Sequence, residues 1–405
     1  MNDYTFYFDE SAKIDKITVD TDGKINLTKN QIADSFIGIF SGFKTNEIEH
    51  SNTLFLNFEK RQKSKFKIGP DYEIKSTFIK KKYFKYGLSS LRPEHLEFYS
   101  DLFDTMSDMH PILSVVCMSK MEMFVRYTFK NLPNEDAYYV LTKFLITYGD
   151  EETFSTMTNV CSKKDEDMVK RIVSKKMKQV INRSKNIPRM ATILNAYPAT
   201  ISMIMNKDVN IRTSNKTDIN YESVLGGLTP LLNSNGINIS DITLNVDGEP
   251  DLYPNIDKIY PNVHFVNSTN EPLIRFSDHI AGFLNRIILS INKDMKSNEP
   301  TLDDFNRNDV DFESKRLLKT EWFKINKNTF EVYRKIYRIL MKSQPYYWST
   351  VTSSFSDELI LFYSLLEYFE GYSNYEDYCN ITLDEHSNRY NSLACCKIID
   401  LRFNR

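Results

Sequence analysis

Four acidic residues that lie far apart in the sequence each stand close to the end of a predicted strand or helix: Asp9, Glu73, Asp247 and Asp278. Carboxylates that meet in a fold repel one another unless cations neutralise them. Hard oxygen ligands favour Mg²⁺ or Mn²⁺. Two such ions about 3.5–4 Å apart activate a water and stabilise the leaving oxygen when a phosphodiester bond is cleaved. These four residues are therefore our candidate catalytic residues and metal ligands, in a chemistry that requires no Ser–His or Cys–His pair.

Each of these acids also has an ordinary structural explanation. Asp9 can be a solvated strand end, and Glu73, close to Lys75, can belong to a surface loop. Asp247 precedes a glycine, and Asp-Gly is a common turn dipeptide. Asp278 can complement a helix dipole. The catalytic hypothesis therefore depends on the four residues converging in the fold.

The first half of the chain is predicted to supply most of the sheet. Aromatic and aliphatic runs at residues 4–8, 35–40 and 53–58 predict three strands in an antiparallel meander. Apolar residues at helical spacing from Leu96 to Met106 predict a helix, and Pro111–Cys117 follows as a buried strand. A strand, a helix and a strand in this order predict a crossover and a parallel addition to the sheet.

The second half is predicted to be mainly helical, with two further strands. Residues 241–247 alternate between apolar and polar side chains, and residues 263–266 form a short apolar run. Ser277 and Asp278 are predicted to open a helix with an apolar stripe from Ile280 to Ile291, and a polar linker is predicted at 293–311. We therefore expect an α/β core at 1–120 and 239–292, a helical insertion at 121–238 and a helical C-terminal region at 293–405.

With these pieces in place, the chain resembles the ribonuclease H-like superfamily. More narrowly, it resembles a widespread prokaryotic family that opens with an aromatic strand and an Asp-Glu-Ser motif. The resemblance covers roughly residues 1–120 and 240–290, and the matching segments are Tyr7–Ser11, Glu73–Ser76, Asn267–Thr269 and Phe276–Phe283. Two departures are visible: Ala12 stands where the family commonly has Gly, and Arg275–Asp278 keeps the Asp of a Gln-x-Ala-Asp motif without its Gln and Ala.

This resemblance implies a mixed five-stranded sheet, three strands antiparallel and two added in parallel, with helices on both faces. It makes Asp9 the central ligand of two divalent metals, with Glu73, Asp247 and Asp278 completing the site. Glu10 and Glu249 are further acids without an assigned role. The implied reaction is phosphodiester hydrolysis that leaves a 3′-hydroxyl and a 5′-phosphate, and the resemblance suggests a role in bacterial defence against phage or mobile elements.

Two basic stretches predict a nucleic acid, DNA or RNA, as the partner. Residues 60–85 hold ten Lys and Arg against two acids. Their cations can pair with phosphates, and the interleaved Phe66, Phe78, Tyr83 and Phe84 can stack on unpaired bases. Our candidate nucleic-acid-binding residues are Lys60, Arg61, Lys63, Lys65, Lys75, Lys80, Lys81 and Lys82.

The second basic stretch, residues 160–187, holds nine Lys and Arg against three acids. A helix there is predicted to bury a stripe that begins at Met168, and to expose Lys170, Lys175, Lys178 and Arg183. An ordinary solvated helix face explains this stretch equally well.

Composition limits the remaining possibilities. The chain has 405 residues with 52 Lys and Arg against 54 Asp and Glu, which excludes a basic field over the whole molecule. No segment approaches the roughly 18 apolar residues of a membrane span, and the N-terminus does not have the pattern of a secretory leader. Five unevenly spread cysteines suit free thiols in a reducing cytoplasm, and the spacing of Cys379, His386, Cys395 and Cys396 does not match a zinc site.

Three functions compete on these grounds. The first is a metal-dependent nuclease. The second is a catalytically inactive subunit that keeps the fold and binds nucleic acid or docks a partner, which the altered motif at Arg275–Asp278 and the large helical additions motivate. The third is an assembly protein that forms homo-oligomers or binds a partner protein through the aromatic helices of the C-terminal region.

Overall fold

The fold is known from a computed structural model that describes most of the chain. It covers residues 3–11, 17–20, 35–158, 162–187, 190–212, 216–217, 224–250, 255–298, 303–307, 316–343, 346–350 and 357–403, with isolated positions at 22, 24, 26, 253, 301 and 310. Ala12, the first departure from the family pattern, lies outside the described residues.

Six strands form one mixed sheet, in the spatial order β5-β4-β1-β2-β3-β6. In chain order these strands are β1 (Tyr4–Ser11), β2 (Ser35–Lys44), β3 (Ile112–Ser119), β4 (Ile242–Asp247), β5 (Val263–Val266) and β6 (Tyr346–Thr350). β2 lies between β1 and β3 and is antiparallel to both. β4 runs parallel to β1, β5 parallel to β4, and β6 parallel to β3. The predicted α/β class and mixed sheet are confirmed, with six strands in place of five.

The helices surround this sheet and build two additions to it. In chain order they are α1 (Ile48–Phe66), α2 (Pro93–Met109), α3 (Lys120–Thr128), α4 (Glu135–Tyr148), α5 (Glu151–Thr158), α6 (Lys163–Ser184), α7 (Ala191–Ile204), α8 (Thr229–Ser234), α9 (Ile256–Ile259), α10 (Pro272–Asn298), α11 (Lys327–Arg338), α12 (Asp357–Glu370), α13 (Tyr375–Cys379) and α14 (Leu383–Phe403).

Successive residues of β1 point to opposite faces of the sheet, and both faces are covered. Phe6 and Phe8 lie in a cluster with β4 and the short helices α8 and α9. Tyr7 lies in the larger cluster that α1, α2, α10, α11 and α12 build on the other face. Because the side-chain period of a strand is two, a register slip of one residue would exchange these two sets.

The helical insertion has a hydrophobic core of its own. Its buried residues come mainly from α3 to α7, with Phe124, Leu141, Phe144, Val173 and Met177 among them. Lys143 of α4 forms an ion pair of 2.9 Å with Asp357 of α12, which ties this unit to the C-terminal helices.

The predicted strand at residues 53–58 is wrong, because this segment lies inside α1. The buried residues of α1 include Ser51, Phe55, Phe58, Glu59 and Gln62, which recur every three or four positions. A short apolar run does not distinguish a buried strand from one turn of a buried helix, and here the longer period decides.

The strand predicted at Pro111–Cys117 exists as β3, but its predicted parallel pairing is wrong. β3 is antiparallel to β2, with Ile39 opposite Val115. Two helices, α1 and α2, separate these strands, so the chain returns to the same end of the sheet at which β2 ended, and β3 runs antiparallel to β2. A single helix would have brought the chain to the opposite end of the sheet, from which the next strand runs parallel.

Three boundaries in the second half also differ from prediction. The helix predicted to open at Ser277 begins at Pro272, and it continues to Asn298, through the first part of the predicted linker. It continues because Asp294 is buried with polar partners, accepting hydrogen bonds from the Trp322 indole at 3.0 Å and the Lys319 amide at 2.8 Å. The C-terminal region is not purely helical, since it contributes β6 to the sheet.

Candidate active site

Asp9 and Asp247 lie side by side at the ends of two neighbouring parallel strands. Phe8 of β1 is in register with Val246 of β4, so the next residue on each strand is an aspartate. Phe8 and Val246 belong to the same cluster on one face, and strand alternation directs both aspartates to the other face. Adjacent strands are about 4.8 Å apart, which makes the two carboxylates close neighbours.

Asp278 approaches the same point from α10, which packs across this face against β1 and β2. The preceding residue fixes the helix on the sheet: the Ser277 hydroxyl donates to the Tyr7 carbonyl at 3.2 Å and lies 2.6 Å from the Ser41 hydroxyl. Asp278 is the seventh residue of α10 and not in its first turn, so the helix-dipole explanation for it is wrong.

The electrostatics of Asp9 show how densely negative charge is packed here. Loss of solvation is the largest cause that raises the pKa of the Asp9 carboxyl well above its ordinary value. The charges of Asp278, Glu10 and Asp247 raise that pKa further, in this order. A hydrogen bond of 2.7 Å from the Glu10 amide opposes the rise. The fold thus places three carboxylates within electrostatic reach of Asp9.

Glu10, for which no role is predicted from the sequence, contributes to this charge from the opposite face of β1. The Tyr253 hydroxyl lies 3.2 Å from the Glu10 carboxylate and 3.1 Å from the backbone carbonyl of Asp247. Tyr253 thereby connects the ends of β1 and β4. Glu249, the other unassigned acid, is exposed.

Glu73 lies in a segment that contacts Asp278, but its carboxylate is not among the three that act on Asp9. The contact is made by Ser76, whose amide and hydroxyl donate to the two oxygens of Asp278 at 2.8 and 2.7 Å. Glu73 is partly buried, and its carboxylate lies 3.8 Å from the ammonium of Lys75. The structure therefore brings Asp9, Asp247 and Asp278 together and leaves Glu73 at the margin.

Arg286 binds the backbone of the segment that contains Glu73 and Ser76. Its guanidinium is buried and donates to the Ser76 carbonyl, while its Nε and Nη1 lack a hydrogen-bond partner among the described residues. Asp278, Gly282 and Arg286 are spaced four residues apart on one face of α10, and Gly282 leaves the space in which Ser76 sits. Sequence reasoning did not identify this trio, although the spacing was visible.

We expect Gly282→Ala to destabilise the protein, although alanine is ordinarily the better helix former. A Cβ at this position would overlap Ser76 and crowd Arg286, and Ser76 is held by its bonds to Asp278. Overpacking of this kind costs about 1–3 kcal/mol of unfolding free energy, measurable by urea denaturation. Gly226→Ala is the matched control, because a Cβ there meets nothing within 4 Å. Equal stability of the two variants would contradict the packing we describe.

His279, which follows Asp278, packs into the core and does not face the acids. Its ring lies among Phe55, Phe58 and Phe98, with centroids 5.5–6.4 Å away. Burial lowers its pKa, which keeps the imidazole neutral.

The acids fit a divalent cation by their chemistry but do not enclose one as they stand. In the described ranges, no group of three or more His, Cys, Asp or Glu side chains is arranged to hold a metal ion. Across the same residues, no Lys or Arg forms a salt bridge with Asp9, Asp247 or Asp278, so their charge is left without a cationic partner. Hard carboxylate oxygens around an uncompensated charge suit Mg²⁺ or Mn²⁺. Side-chain rotation of Asp9, Asp247 and Asp278 would be needed to complete a coordination shell.

The basic residues predicted to bind nucleic acid are mostly exposed. Lys60, Arg61, Lys65, Lys75 and the run Lys80–Lys82 are exposed, and Lys63 is half-buried. Two of them are engaged within the chain: Lys63 donates to the Pro70 carbonyl at 2.9 Å, and Lys65 lies 2.5 Å from the Glu97 carboxylate.

The aromatic residues interleaved with these cations pack largely against the protein itself. Phe84 is fully buried, so its predicted stacking on bases is wrong, whereas Phe66, Phe78 and Tyr83 are half-buried. Phe66 and Phe78 pack against each other with centroids 4.9 Å apart, and Tyr83 packs on His95 at 4.8 Å. These rings cover the hydrophobic core between α1 and α2. The ring that is exposed in this stretch is Tyr72, which the sequence did not single out.

The second basic stretch forms α6, with two corrections. Lys170 is buried and donates to the Asn206 carbonyl at 2.9 Å, whereas Lys175, Lys178 and Arg183 are exposed as predicted. Met168 is exposed and does not belong to the buried stripe.

His386, considered at first for a zinc site, is part of an aromatic cluster in the C-terminal region. Its Nδ1 lies 2.7 Å from the Tyr368 hydroxyl, its Nε2 3.1 Å from the Tyr378 carbonyl, and its ring stacks on Tyr378 at 3.9 Å. Of the four described cysteines, Cys117 is buried, Cys395 is half-buried, and Cys379 and Cys396 are exposed.

We expect the C-terminal cluster to weaken in acid. Burial lowers the pKa of His386 from 6.5 to about 4, so the unfolded chain takes up a proton before the folded one does. Stability is therefore present above pH 6.5 and lost as the pH falls towards 4, by up to about 3 kcal/mol. Thermal unfolding between these pH values should show a shallower slope in His386→Gln than in the wild type. His264→Gln, at an exposed histidine, is the control. If both His264→Gln and His386→Gln keep the wild-type slope, His386 does not contribute to the pH dependence of stability.

Comparisons of the chain with protein-family models, with curated proteins and with solved structures found no match. Among the helices that the structure describes, none combines the length and the apolar character needed to cross a lipid bilayer.

Proposed function

We propose that the chain is a metal-dependent nuclease of the ribonuclease H-like class, which hydrolyses phosphodiester bonds of a nucleic acid. The observation that carries this proposal is the position of Asp9. It lies two residues before the end of β1, the strand between β4 and β2, and Asp247, Asp278 and Glu10 act on its charge. Such a concentration of uncompensated carboxylates destabilises the fold through charge repulsion. A bound divalent cation would neutralise that charge, which is why we interpret the group as a cation site.

The topology supports the class. Five of the six strands, β5-β4-β1-β2-β3, combine three antiparallel neighbours with two parallel additions, which is the sheet that the resemblance implies. The acids lie on strand ends and on the helix that crosses them, which is where the resemblance puts the ligands.

Each residue has a distinct role in this proposal. Asp9 and Asp247 present neighbouring carboxylates, and Asp278 closes the group from α10. Ser76 orients Asp278, and Glu73 becomes a ligand when its side chain turns from Lys75 towards the group. A cation bound there would supply Lewis-acid charge and an activated water. The exposed lysines on both sides of Glu73 would hold the phosphate backbone.

The test is cleavage of single-stranded and double-stranded DNA and RNA by the full chain with Mg²⁺, with Mn²⁺ and with EDTA. We expect cation-dependent cleavage that Asp247→Asn removes and that Asp384→Asn, at an exposed acid far along the chain, leaves intact. Absence of cleavage on every substrate with either cation would contradict the proposal.

One observation favours a second function, a catalytically inactive subunit that binds nucleic acid or docks a partner. Both oxygens of Asp278 are occupied by Ser76, and the described acids do not enclose a metal. This alternative predicts oligonucleotide binding that is independent of divalent cations. A role in defence against phage, and homo-oligomers or a partner protein bound through the C-terminal region, rest on sequence reasoning alone.

A further inference from the structure

Tyr72 is an unusually exposed aromatic side chain. It is 72% exposed, whereas the other prominent large apolar side chains, such as Met168 and Leu383, are 38–49% exposed. A single exposed apolar residue is normal on a protein surface, so exposure alone does not indicate a site. The residues around Tyr72 indicate what an exposed ring at this position could bind.

Two hydrogen bonds hold the turn that carries Tyr72. The Tyr72 amide donates to the Gly69 carbonyl at 3.1 Å, and the Lys63 ammonium donates to the Pro70 carbonyl at 2.9 Å. Gly69 lies next to the ring, where a Cβ would come within 3.0 Å of it. Most of the ring is open to solvent. A turn that is already ordered loses little conformational entropy on binding.

The turn that carries Tyr72 lies close in the sequence both to residues at the acidic group and to the exposed cations. Glu73 follows Tyr72 directly, and Ser76, which bonds to Asp278, is four residues away. Four residues span at most about 14 Å, a distance that a few stacked nucleotides cover. Lys75, Lys80, Lys81 and Lys82 are exposed on one side of Tyr72 in the sequence, and Lys60, Arg61 and Lys67 on the other. Asp71 is the exposed acid beside the ring.

We propose that Tyr72 stacks on an unpaired base, and that this face therefore takes single-stranded nucleic acid in preference to a closed duplex. The inference deepens the proposed function and rests on its choice of a nucleic acid as partner. A base inside a duplex already stacks on both sides, so an exposed ring gains contact only with an unpaired or terminal base. The surrounding cations attract the phosphates of either form, and the ring supplies the discrimination.

The experiment measures binding without cleavage. A dye-labelled single strand of twelve nucleotides, or a loop-free duplex long enough that internal pairs far outnumber terminal ones, is titrated in EDTA with the full chain carrying Asp9→Asn. Adding Tyr72→Ala should weaken single-strand binding by roughly 5- to 100-fold and leave duplex binding within about twofold. Tyr72→Phe and Tyr72→Trp, made in place of Tyr72→Ala, should keep the affinity for the single strand, because each keeps a stacking ring. Leu383→Ala, which removes another exposed apolar side chain, should change neither affinity.

The outcomes separate this inference from the proposal on which it rests. An equal loss on both forms, no loss in Tyr72→Ala, or a loss in Tyr72→Phe as large as in Tyr72→Ala would overturn the stacking role, while cation-dependent cleavage by the wild type would still stand. Failure to bind either oligonucleotide would overturn both.

Discussion

We expect Asp9→Asn to abolish the proposed cation-dependent cleavage and, in the same protein, to raise the stability of the metal-free fold. Cleavage should fall by at least about 100-fold, because a metal ion contributes several kcal/mol to the transition state. The gain in stability has a separate cause. Asp9 carries a charge among Asp278, Glu10 and Asp247, and asparagine has nearly the same shape without that charge.

The sign of this stability effect follows from the raised pKa of Asp9. A carboxyl whose pKa is raised by folding stabilises the protein below its unfolded pKa, and that contribution is lost as the pH rises through the folded pKa. At neutral pH, where this carboxyl is ionised in the unfolded chain, its raised pKa in the folded state therefore lowers the stability of the fold. Its removal should add about 0.5–2 kcal/mol, in line with the usual trade between activity and stability. The advantage of the variant should shrink as the solution is acidified.

Differential scanning fluorimetry at neutral pH measures this effect directly. In EDTA, Asp9→Asn should melt a few degrees above the wild type. With Mn²⁺ the wild type should rise, since a ligand that binds only the folded state stabilises it, and the variant should respond little. Asp384→Asn should behave as the wild type under both conditions. A variant that melts lower in EDTA, or that gains as much from Mn²⁺ as the wild type, would show that Asp9 is not the centre of a cation site.

Glu59→Ala will be strongly destabilising, by about 3–5 kcal/mol, because it leaves a buried guanidinium without its counter-charge. Arg275 donates from Nε and Nη2 to the Glu59 carboxylate at 2.8 and 2.6 Å, and both side chains are buried. The pair connects α1 to α10. The same arginine donates to the Ser268 and Thr269 carbonyls at 2.6 and 3.1 Å, and so fixes the loop between β5 and α10.

A double-mutant cycle distinguishes the charge effect from simple loss of packing. Urea unfolding of Glu59→Ala, Arg275→Met and the double variant gives the coupling free energy. The double variant should be less destabilised than the sum of the two single variants, because no unpaired charge remains in it. Glu97→Ala removes an acid that pairs with Lys65 at the surface, and it should cost less than about 1 kcal/mol. Additive costs in the cycle would mean that the buried pair is not coupled.

The positions of two candidate acids in the fold can be predicted from the local sequence pattern. Asp9 and Asp247 follow aromatic or alternating apolar runs, so their location at strand ends could be predicted. Their convergence with Asp278 depended on the order of elements, which was right for β1, β2, β4 and β5. The third strand was assigned to residues 53–58 because a buried helical turn and a short strand share the same apolar content.

Side-chain contacts between residues more than 200 positions apart could not be predicted from the sequence. Ser76 and Asp278 bond across such a separation, as do Glu59 and Arg275. Two residues of the segment Arg275–Asp278 have such distant partners. Arg275 has Glu59 as its counter-charge, and the Ser277 hydroxyl contacts the Ser41 hydroxyl and the Tyr7 carbonyl.

The sixth strand has a practical consequence for anyone who trims this chain. β6 pairs along β3, from Leu113 to Cys117, with its partner residues at 346–350. A fragment that stops before residue 346 would leave that row of amides and carbonyls unpaired at the margin of a hydrophobic sheet, which is a template for self-association. It would also lose α12, whose apolar face helps to fill the main core. Aggregation of such a fragment would then report an exposed sheet edge, and it would carry no information about how the intact molecule assembles.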